Sequence, residues 1–179
     1  MPIFFAIDPD PIQLFSGGQV IDKQDIIHRL REEIRRQYER IAGAAREARG
    51  YATDPDSKAE SKYDTRSLEA SYLAAGQAAK ADELAETLRV LETFDPPAFN
   101  GSDPVALGAL VTVAFSPSEG GGRALYLLAP RGGGLSCESG DGETDVTVLS
   151  PSAPLFQSLE GCRAGGRLDD PALMIVSVA

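Results

Sequence analysis

The pattern of apolar positions separates a helical first half of the chain from a strand-rich second half. In residues 22–49, apolar side chains recur every seven positions, with two more placed three positions later: Ile27, Ile34, Ile41 and Ala48, then Leu30 and Ala44. A second series with the same spacing, containing one glutamine, follows at Ala70, Gln77, Leu84 and Leu91. Seven-residue spacing is typical of the seam of a coiled coil. The pattern therefore predicts two long helices that pack along such a seam.

The ends of these helices are marked by residues that cap or interrupt a helix. Asp22 is a short acceptor suited to cap the first helix, and Gly50 is suited to end it. Pro55 prevents immediate continuation of the helix, and Asp64 or Thr65 can cap the second one. Two helices of matching length joined by about ten to fifteen residues can pair only antiparallel.

Beyond the helices, short apolar runs alternate with glycine and proline. Residues 94–101 are proline-rich, and apolar runs predict strands at 110–115, 124–129, 145–149 and 174–178. Three glycines at 120–122 predict a hairpin turn, and 154–159 predicts a short helix or turn. The predicted fold class is α+β, a long antiparallel helical coiled-coil hairpin followed by a small β-rich domain. The predicted division is an N-terminal arm at 1–21, the coiled coil at 22–93, a linker at 94–103 and a C-terminal domain at 104–179.

The net charge of the chain limits the kinds of partner that it can bind. The chain of 179 residues has a formal net charge of −10, and an acidic protein is a poor binder of nucleic acid because it cannot replace phosphate counterions. Within the first helix the balance is reversed, and its arginines could form a basic face for RNA or for an acidic protein: Arg29, Arg31, Arg35, Arg36 and Arg40. The alternative is a solvated face with Glu32–Arg36 and Arg35–Glu39 pairs.

Several kinds of site are disfavoured by composition. Cys137 and Cys162 are isolated, and His28 is the single histidine, so neither a zinc site nor a disulfide framework is expected. The glycine clusters lack the Gly-x-x-x-x-Gly-Lys-Ser/Thr pattern of a phosphate-binding loop. No run approaches the ~20 apolar residues that span a bilayer, and the start is too short and too acidic for a signal peptide. We expect a soluble cytoplasmic protein.

The segment between the two helices is rich in acids, at Asp54, Asp56, Glu60 and Asp64. Carboxylates are hard oxygen ligands suited to Mg²⁺, but two of them cannot fill its six positions. They could complete a site whose other ligands come from a partner. The alternative interpretation is an ordinary solvated turn, because helical hairpins commonly turn through Asp and Ser.

Two stretches resemble the bacterial transcript-cleavage factors GreA and GreB. Residues 60–73 are similar to the tip and second helix of that family, and a Pro-Leu-x-x-x-Leu-x-Gly-x-x-x-Gly pattern is similar to its signature helix and turn: Pro154, Leu155, Leu159, Gly161 and Gly165. The resemblance covers about residues 22–179. Asp56 and Glu60 are four positions apart, whereas the family's usual tip, Asp-Leu-Ser-Glu-Asn, has its acids three apart. The arm and the glycine-rich region 116–143 have no counterpart.

The resemblance implies a fold and a role. The C-terminal domain would be FKBP-like and would dock on RNA polymerase at the rim of its secondary channel through the signature residues. The coiled coil would reach down the channel, where Asp56 and Glu60 help to hold a second Mg²⁺ shared with the polymerase. Asp54, Tyr63 and Asp64 would assist at the tip. The protein would be an accessory factor, not an enzyme, and would meet the nascent RNA 3′ end only within the complex, without binding free DNA or membrane.

Three alternatives stay open at this point. The first is a secondary-channel regulator of initiation that does not cleave, in the manner of DksA, although the Cys-x-x-Cys zinc finger usual there is absent. The second is a peptidyl-prolyl isomerase, suggested by the implied FKBP-like fold, whose active site is a pocket lined by aromatic residues. Beyond residue 100 the chain offers only three for such a pocket, Phe115, Tyr126 and Phe156. The third is a helical-hairpin interaction module with no link to polymerase.

Overall fold

Two long helices are followed by a six-stranded mixed sheet, so the predicted α+β class is confirmed. The computed structural model describes residues 22–53, 66–139 and 145–179. The helices are α1 (Lys23–Thr53), α2 (Arg66–Glu92) and the short α3 (Pro154–Leu159). The strands are β1 (Leu110–Phe115), β2 (Arg123–Leu128), β3 (Ser136–Glu138), β4 (Asp145–Leu149), β5 (Arg167–Asp169) and β6 (Ala172–Val178).

The sheet has the strand order β3-β4-β2-β1-β6-β5. Only β2 and β4 pair parallel, and the other neighbours are antiparallel. All four predicted strands are present, with β2 one residue earlier and β6 two residues longer than predicted. The predicted turn at 120–122 joins β1 to β2, and its three glycines have positive φ. The edge strands β3 and β5 were not predicted, because three half-exposed residues produce no measurable alternation.

The first helix begins where the sequence predicts. The Asp22 side chain accepts a hydrogen bond from the backbone N–H of Gln24 at 2.9 Å, which is the expected cap. Its predicted end is wrong, because the helix continues through Gly50 to Thr53. Helical glycine costs only about 1 kcal/mol relative to alanine, so a single glycine did not stop a helix held by packing along its length. The predicted caps Asp64 and Thr65 of α2 lie outside the described residues.

The seam between α1 and α2 follows the predicted positions near the sheet. Ile27, Leu30 and Ile34 are fully buried, as is Leu91 on the facing helix. Farther along α1 the sequence predicts a seam of small residues, Ala44, Ala45 and Ala48. Ala45 is buried and Ala48 half-buried, but Ala44 is exposed, so the prediction of Ala44 is wrong. A straight α-helix drifts by ~20° per seven residues relative to a 3.5-residue repeat. Residues at a strict seven-residue spacing therefore turn away from the facing helix after about two repeats.

The hairpin stands on the sheet and shares its core. Residues of α1, α2, β1, β2 and β4 form one buried cluster: Ile26, Ile27, Leu30, Ile34, Leu84, Leu91, Leu110, Leu125, Leu127, Ala129, Val146 and Val148. The opposite face of the sheet packs against α3 in a second cluster that includes Phe156 and Leu159. The hairpin and the sheet, which the predicted linker at 94–103 separates, thus share the first buried cluster. The role of this linker as a domain boundary stays a prediction.

Polar contacts attach the base of the hairpin to the segment that follows α2. The Arg31 guanidinium donates hydrogen bonds to the backbone carbonyl oxygens of Leu91 and Phe94. The distance from Nε to the Leu91 oxygen is 2.9 Å. These carbonyls belong to the end of α2 and just beyond it, where the regular helical bonds end. The Leu91 carbonyl also accepts from the backbone N–H of Phe94 at 3.2 Å, so Arg31 adds charged donors to the final turn. The Lys23 ammonium donates to the carbonyl of Pro97 and lies 4.7 Å above the Phe99 ring. Burial lowers the pKa of Lys23.

Replacing Arg31 with methionine is expected to lower the free energy of unfolding by about 2 kcal/mol, because hydrogen bonds from a charged donor are lost while the apolar stem is kept. Urea unfolding followed by circular dichroism measures the loss. The matched control is Arg36→Met, since Arg36 is largely exposed and pairs only with Glu33 on its own helix. Its expected change is within about 0.5 kcal/mol. Equal losses in the two variants would contradict the capping role of Arg31.

Candidate functional site at the far end of the hairpin and at the α3 turn

The end of α1 at Thr53 and the start of α2 at Arg66 lie at the end of the hairpin opposite the sheet. Arg31 near the start of α1 contacts Leu91 near the end of α2, so the helices run antiparallel. The 31 residues of α1, at ~1.5 Å per residue, extend roughly 45 Å. The predicted tip residues themselves lie outside the described residues: Asp54, Asp56, Glu60, Tyr63 and Asp64. Their roles stay predictions.

Four of the five arginines of the basic face predicted on α1 have partners among the described residues, and the fifth, Arg40, is exposed. Arg29 pairs with Asp25 at 2.9 Å and Arg35 with Glu32 at 2.9 Å, while Arg31 holds the end of α2. Arg35 also lies 3.6 Å from Glu92 of α2. The predicted partner of Arg36 was Glu32, but the structure pairs Arg36 with Glu33 at 2.7 Å, and the predicted Arg35–Glu39 pair is replaced by Arg35–Glu32. The arrangement favours a solvated face over a basic surface for RNA.

A glutamate on the same helix illustrates how these contacts act. The pKa of the Glu33 carboxyl is held below its usual value, first by the hydrogen bond from Gln37 and then by that from Arg36. The carboxylate is therefore charged throughout the physiological range, and the α1 surface is a mosaic of both signs rather than a uniform field. Such a surface suits contact with protein more than with a phosphate backbone.

The signature motif in the second half forms α3 and the turn after it. Pro154 is the first residue of α3, a position where a missing N–H costs nothing. Leu159 is fully buried and anchors the helix to the sheet. Gly161 and Gly165 both have positive φ, near +80°, which glycine adopts without strain. Their N–H groups donate to the carbonyls of Val105 and Ile175, respectively, at 2.8 Å.

The motif thus has a structural basis, and its docking role stays a prediction. Pro154, Gly161 and Gly165 are exposed, and Leu155 is half-buried. Leu159 contributes to packing rather than to the surface. The α3 turn therefore offers an exposed proline, part of a leucine side chain and two exposed glycines to a partner.

The two cysteine thiols and the aromatic residues of the second half take part in hydrogen bonding and packing. Burial raises the pKa of the Cys137 thiol to about 11, and its Sγ lies 3.8 Å from the carbonyl oxygen of Ile26. Little thiolate forms at neutral pH, so Cys137 is a poor nucleophile. The Cys162 thiol donates to the Ser158 carbonyl. The aromatic residues considered for an isomerase, Phe115, Tyr126 and Phe156, pack in or against the cluster on the α3 face of the sheet.

Two open clefts border the hairpin base. One of about 700 Å³ lies between α1 and β3 and is lined by side chains of both charges, among them Asp25, Arg29 and Glu138. The other, of about 450 Å³, lies between α2 and the glycine-rich turn after β2. Within residues 22–53, 66–139 and 145–179, no group of three or more His, Cys, Asp or Glu side chains could hold a metal ion. In the same ranges, neither long helix is apolar enough over its length to cross a membrane.

Two groups of residues at the hairpin were not found from the sequence. Lys23 and Arg31 act on partners more than 55 residues away in the chain, so no local pattern marks them. The second group is the exposed apolar side chains of α2 at Leu68, Tyr72 and Leu73. A ten-residue run without charge at 70–79 could have indicated this apolar surface.

The described architecture defines a class of protein, an antiparallel helical hairpin standing on a six-stranded mixed sheet. No family model matches the chain, and no curated protein matches its sequence. Among solved structures, GreA factor homolog 1 (Gfh1) of Thermus thermophilus is 16% identical over 83% of this chain and 94% of its own, with a TM-score of 0.33.

Two further structures are similar to the chain in the same way. A structure of the transcription factor Gfh1 is 18% identical over 86% of this chain and 92% of its own, with a TM-score of 0.32. Gfh1 of Thermus aquaticus is 18% identical over 82% of this chain and 92% of its own, with a TM-score of 0.31.

Proposed function

We propose that this protein is a transcription factor that binds RNA polymerase and stimulates cleavage of backtracked RNA. One observation carries the proposal: a narrow hairpin roughly 45 Å long is fixed at its base on a sheet, and the sequence between its two helices is acidic. Such a shape suits delivery of carboxylates to a catalytic centre that is reached through a channel. The hairpin would enter the secondary channel of the polymerase.

The acids of the tip would act by binding metal together with the polymerase. Asp56 and Glu60 would hold a second Mg²⁺, and the polymerase would supply the remaining ligands, because two carboxylates cannot satisfy its coordination alone. When bound, the ion would stabilise the attacking and leaving oxygens of phosphodiester hydrolysis. Asp54, Tyr63 and Asp64 would support the tip and contact the RNA 3′ end only within the complex. The protein by itself would have no activity.

The base of the hairpin would set the accuracy of this delivery. Docking at the channel rim would use the exposed part of the α3 turn, with Pro154 and Leu155 as the apolar contacts. The contacts of Arg31 and Lys23 hold the hairpin to the segment that leads to the sheet. A misplacement of about 1 Å at a reacting centre can cost on the order of 100-fold in rate, so a fixed base favours the proposed role.

Adding the purified protein to a stalled, backtracked elongation complex tests the proposal. Short RNA fragments released from the 3′ end are expected, at a rate above that of the polymerase alone. A promoter-initiation assay run in parallel separates the second candidate, a secondary-channel regulator that does not cleave, which the four-residue spacing of Asp56 and Glu60 favours. Altered initiation without cleavage would select that candidate, and failure to retain polymerase in a pull-down would reject both.

A further inference from the structure

Residues 94–105 form a connector that leads from α2 toward β1, and the end of this connector is bonded to the α3 turn. Val105 is buried there and exchanges two backbone hydrogen bonds with that turn. Its N–H donates to the carbonyl of Cys162 at 2.7 Å, and its carbonyl accepts from the N–H of Gly161 at 2.8 Å. Two such bonds fix the distance and direction between the segments that they join, as they do in a sheet. The end of the connector therefore moves with the α3 turn.

A side chain of the α3 turn adds a charged contact to the same connector. The Arg163 guanidinium donates to the backbone carbonyl of Ser102, 61 residues earlier in the chain. Ser102 lies in a turn that is closed by two hydrogen bonds. The N–H of Asp103 donates to the carbonyl of Asn100, and the N–H of Asn100 donates to the Asp103 carboxylate, each at 2.8 Å. The guanidinium therefore binds a turn that holds its own shape, and so it fixes the connector rather than a single residue.

The beginning of the connector is bonded to the start of α1. The Gln24 side-chain amide donates to the Asp95 carboxylate at 2.9 Å, and the Lys23 ammonium donates to the carbonyl of Pro97. The same ammonium lies 4.7 Å above the ring of Phe99, and this ring packs against the buried cluster on the α3 face of the sheet. The connector is thus held by α1 near its beginning and by the α3 turn near its end.

We propose that the connector orients the hairpin relative to the α3 turn, with Lys23 and Arg163 as the positioning residues. The inference rests on the proposed function, in which the α3 turn docks on the polymerase and the hairpin delivers its acids. Packed segments transmit displacement, so a shift of the α3 turn moves the connector and the connector moves the start of α1. A tilt of about 2° at the base of a hairpin roughly 45 Å long moves its far end by about 1.5 Å. Loss of either contact therefore lowers the accuracy of delivery.

Hydrogen exchange of the free protein, followed by NMR, tests this link without polymerase. The amides of Phe94 and Gly161, at the two ends of the connector, are both hydrogen-bonded in the wild type. Arg163→Met is expected to speed exchange about tenfold at both amides, because the connector opens as one unit. Lys23→Met is expected to have the same effect from the hairpin side. The matched control, Arg167→Met, changes an exposed arginine of β5 and should leave both amides at their wild-type rates.

Transcript cleavage titrated with the protein separates positioning from binding. Lys23→Met and Arg163→Met are each expected to lower the maximal rate about tenfold. The protein concentration that gives half of this rate should change by less than about twofold, because the lost contacts lie within the protein. Lys23→Arg and Arg163→Lys keep a cationic donor at each position and are expected to restore most of the wild-type rate. Circular dichroism of each variant checks that it is folded.

Two results would overturn the inference. One is faster exchange that is confined to the end of the connector where the substitution lies. The other is a wild-type maximal rate of cleavage in both methionine variants. A wild-type protein that does not stimulate cleavage would reject the proposed function instead, and the exchange experiment would then decide the inference alone.

Discussion

Replacing Asp56 and Glu60 together with alanine is expected to abolish stimulated cleavage of backtracked RNA while leaving polymerase binding intact. The proposed mechanism gives these two carboxylates one task, the binding of the shared metal ion. Their loss should lower the cleavage rate on the order of 100-fold, toward that of the polymerase alone. Release of 3′ fragments from a stalled complex measures the rate, and co-sedimentation with polymerase measures binding.

A double variant with the same change of charge supplies the control for this experiment. Asp82 and Glu119 are exposed acids on α2 and in the turn after β1, away from the far ends of α1 and α2. Asp82→Ala with Glu119→Ala should cleave at nearly the wild-type rate, because the change in net charge is equal and only the position differs. Unchanged cleavage by the tip variant would refute the mechanism, and equal losses in both variants would assign the effect to charge alone.

Replacing Leu30 with alanine is expected to lower the free energy of unfolding by about 3 kcal/mol. Leu30 is fully buried in the cluster that α1 and α2 share with three strands of the sheet. The cavity would therefore remove contacts from the helices and from the sheet together. Chemical unfolding is expected to show one transition. The helical circular-dichroism signal and the Tyr126 fluorescence, read in a background whose four other tyrosines are replaced by phenylalanine, should change at the same denaturant concentration.

Leu73→Ala makes the same chemical change on the exposed side of the hairpin and provides the comparison. Leu73 is 59% exposed, so its truncation is expected to change the free energy of unfolding by no more than about 0.5 kcal/mol. Two separate unfolding transitions, or similar losses at the two leucines, would show that hairpin and sheet do not share a cooperative core.

The parts of the fold that sequence could predict are those with a long repeating signal. Ile27 and Ile34, seven apart, mark a buried seam that the structure confirms. Gly50 was wrongly predicted to end α1. The free-energy cost of one glycine in a helix is small compared with the stabilisation from packing along a 31-residue helix. The strands β3 and β5 have three residues each, which is too few for a period of two to be distinguished.

The helix and turn that contain the signature residues were predictable from the sequence, whereas their packing was not. The spacing of Pro154, Gly161 and Gly165 indicated a helix and turn, and the structure forms one there. The burial of Leu159 depends on β1 and β6, which no local pattern places beneath it. Arg31 resembled any other arginine of a solvated helix face, and its contact with Leu91 is visible only once the hairpin is folded.

The position of β6 in the sheet has a consequence for the order in which the chain can fold during synthesis. The central strand β1 pairs on one side with β2, which follows it closely, and on the other side with β6, where Val111 lies opposite Val178. The ribosome delivers β6 more than 50 residues after β1. Until then the middle of the sheet presents an open backbone edge, which can recruit other chains. Slower elongation through residues 116–171 should therefore increase aggregation of the nascent protein.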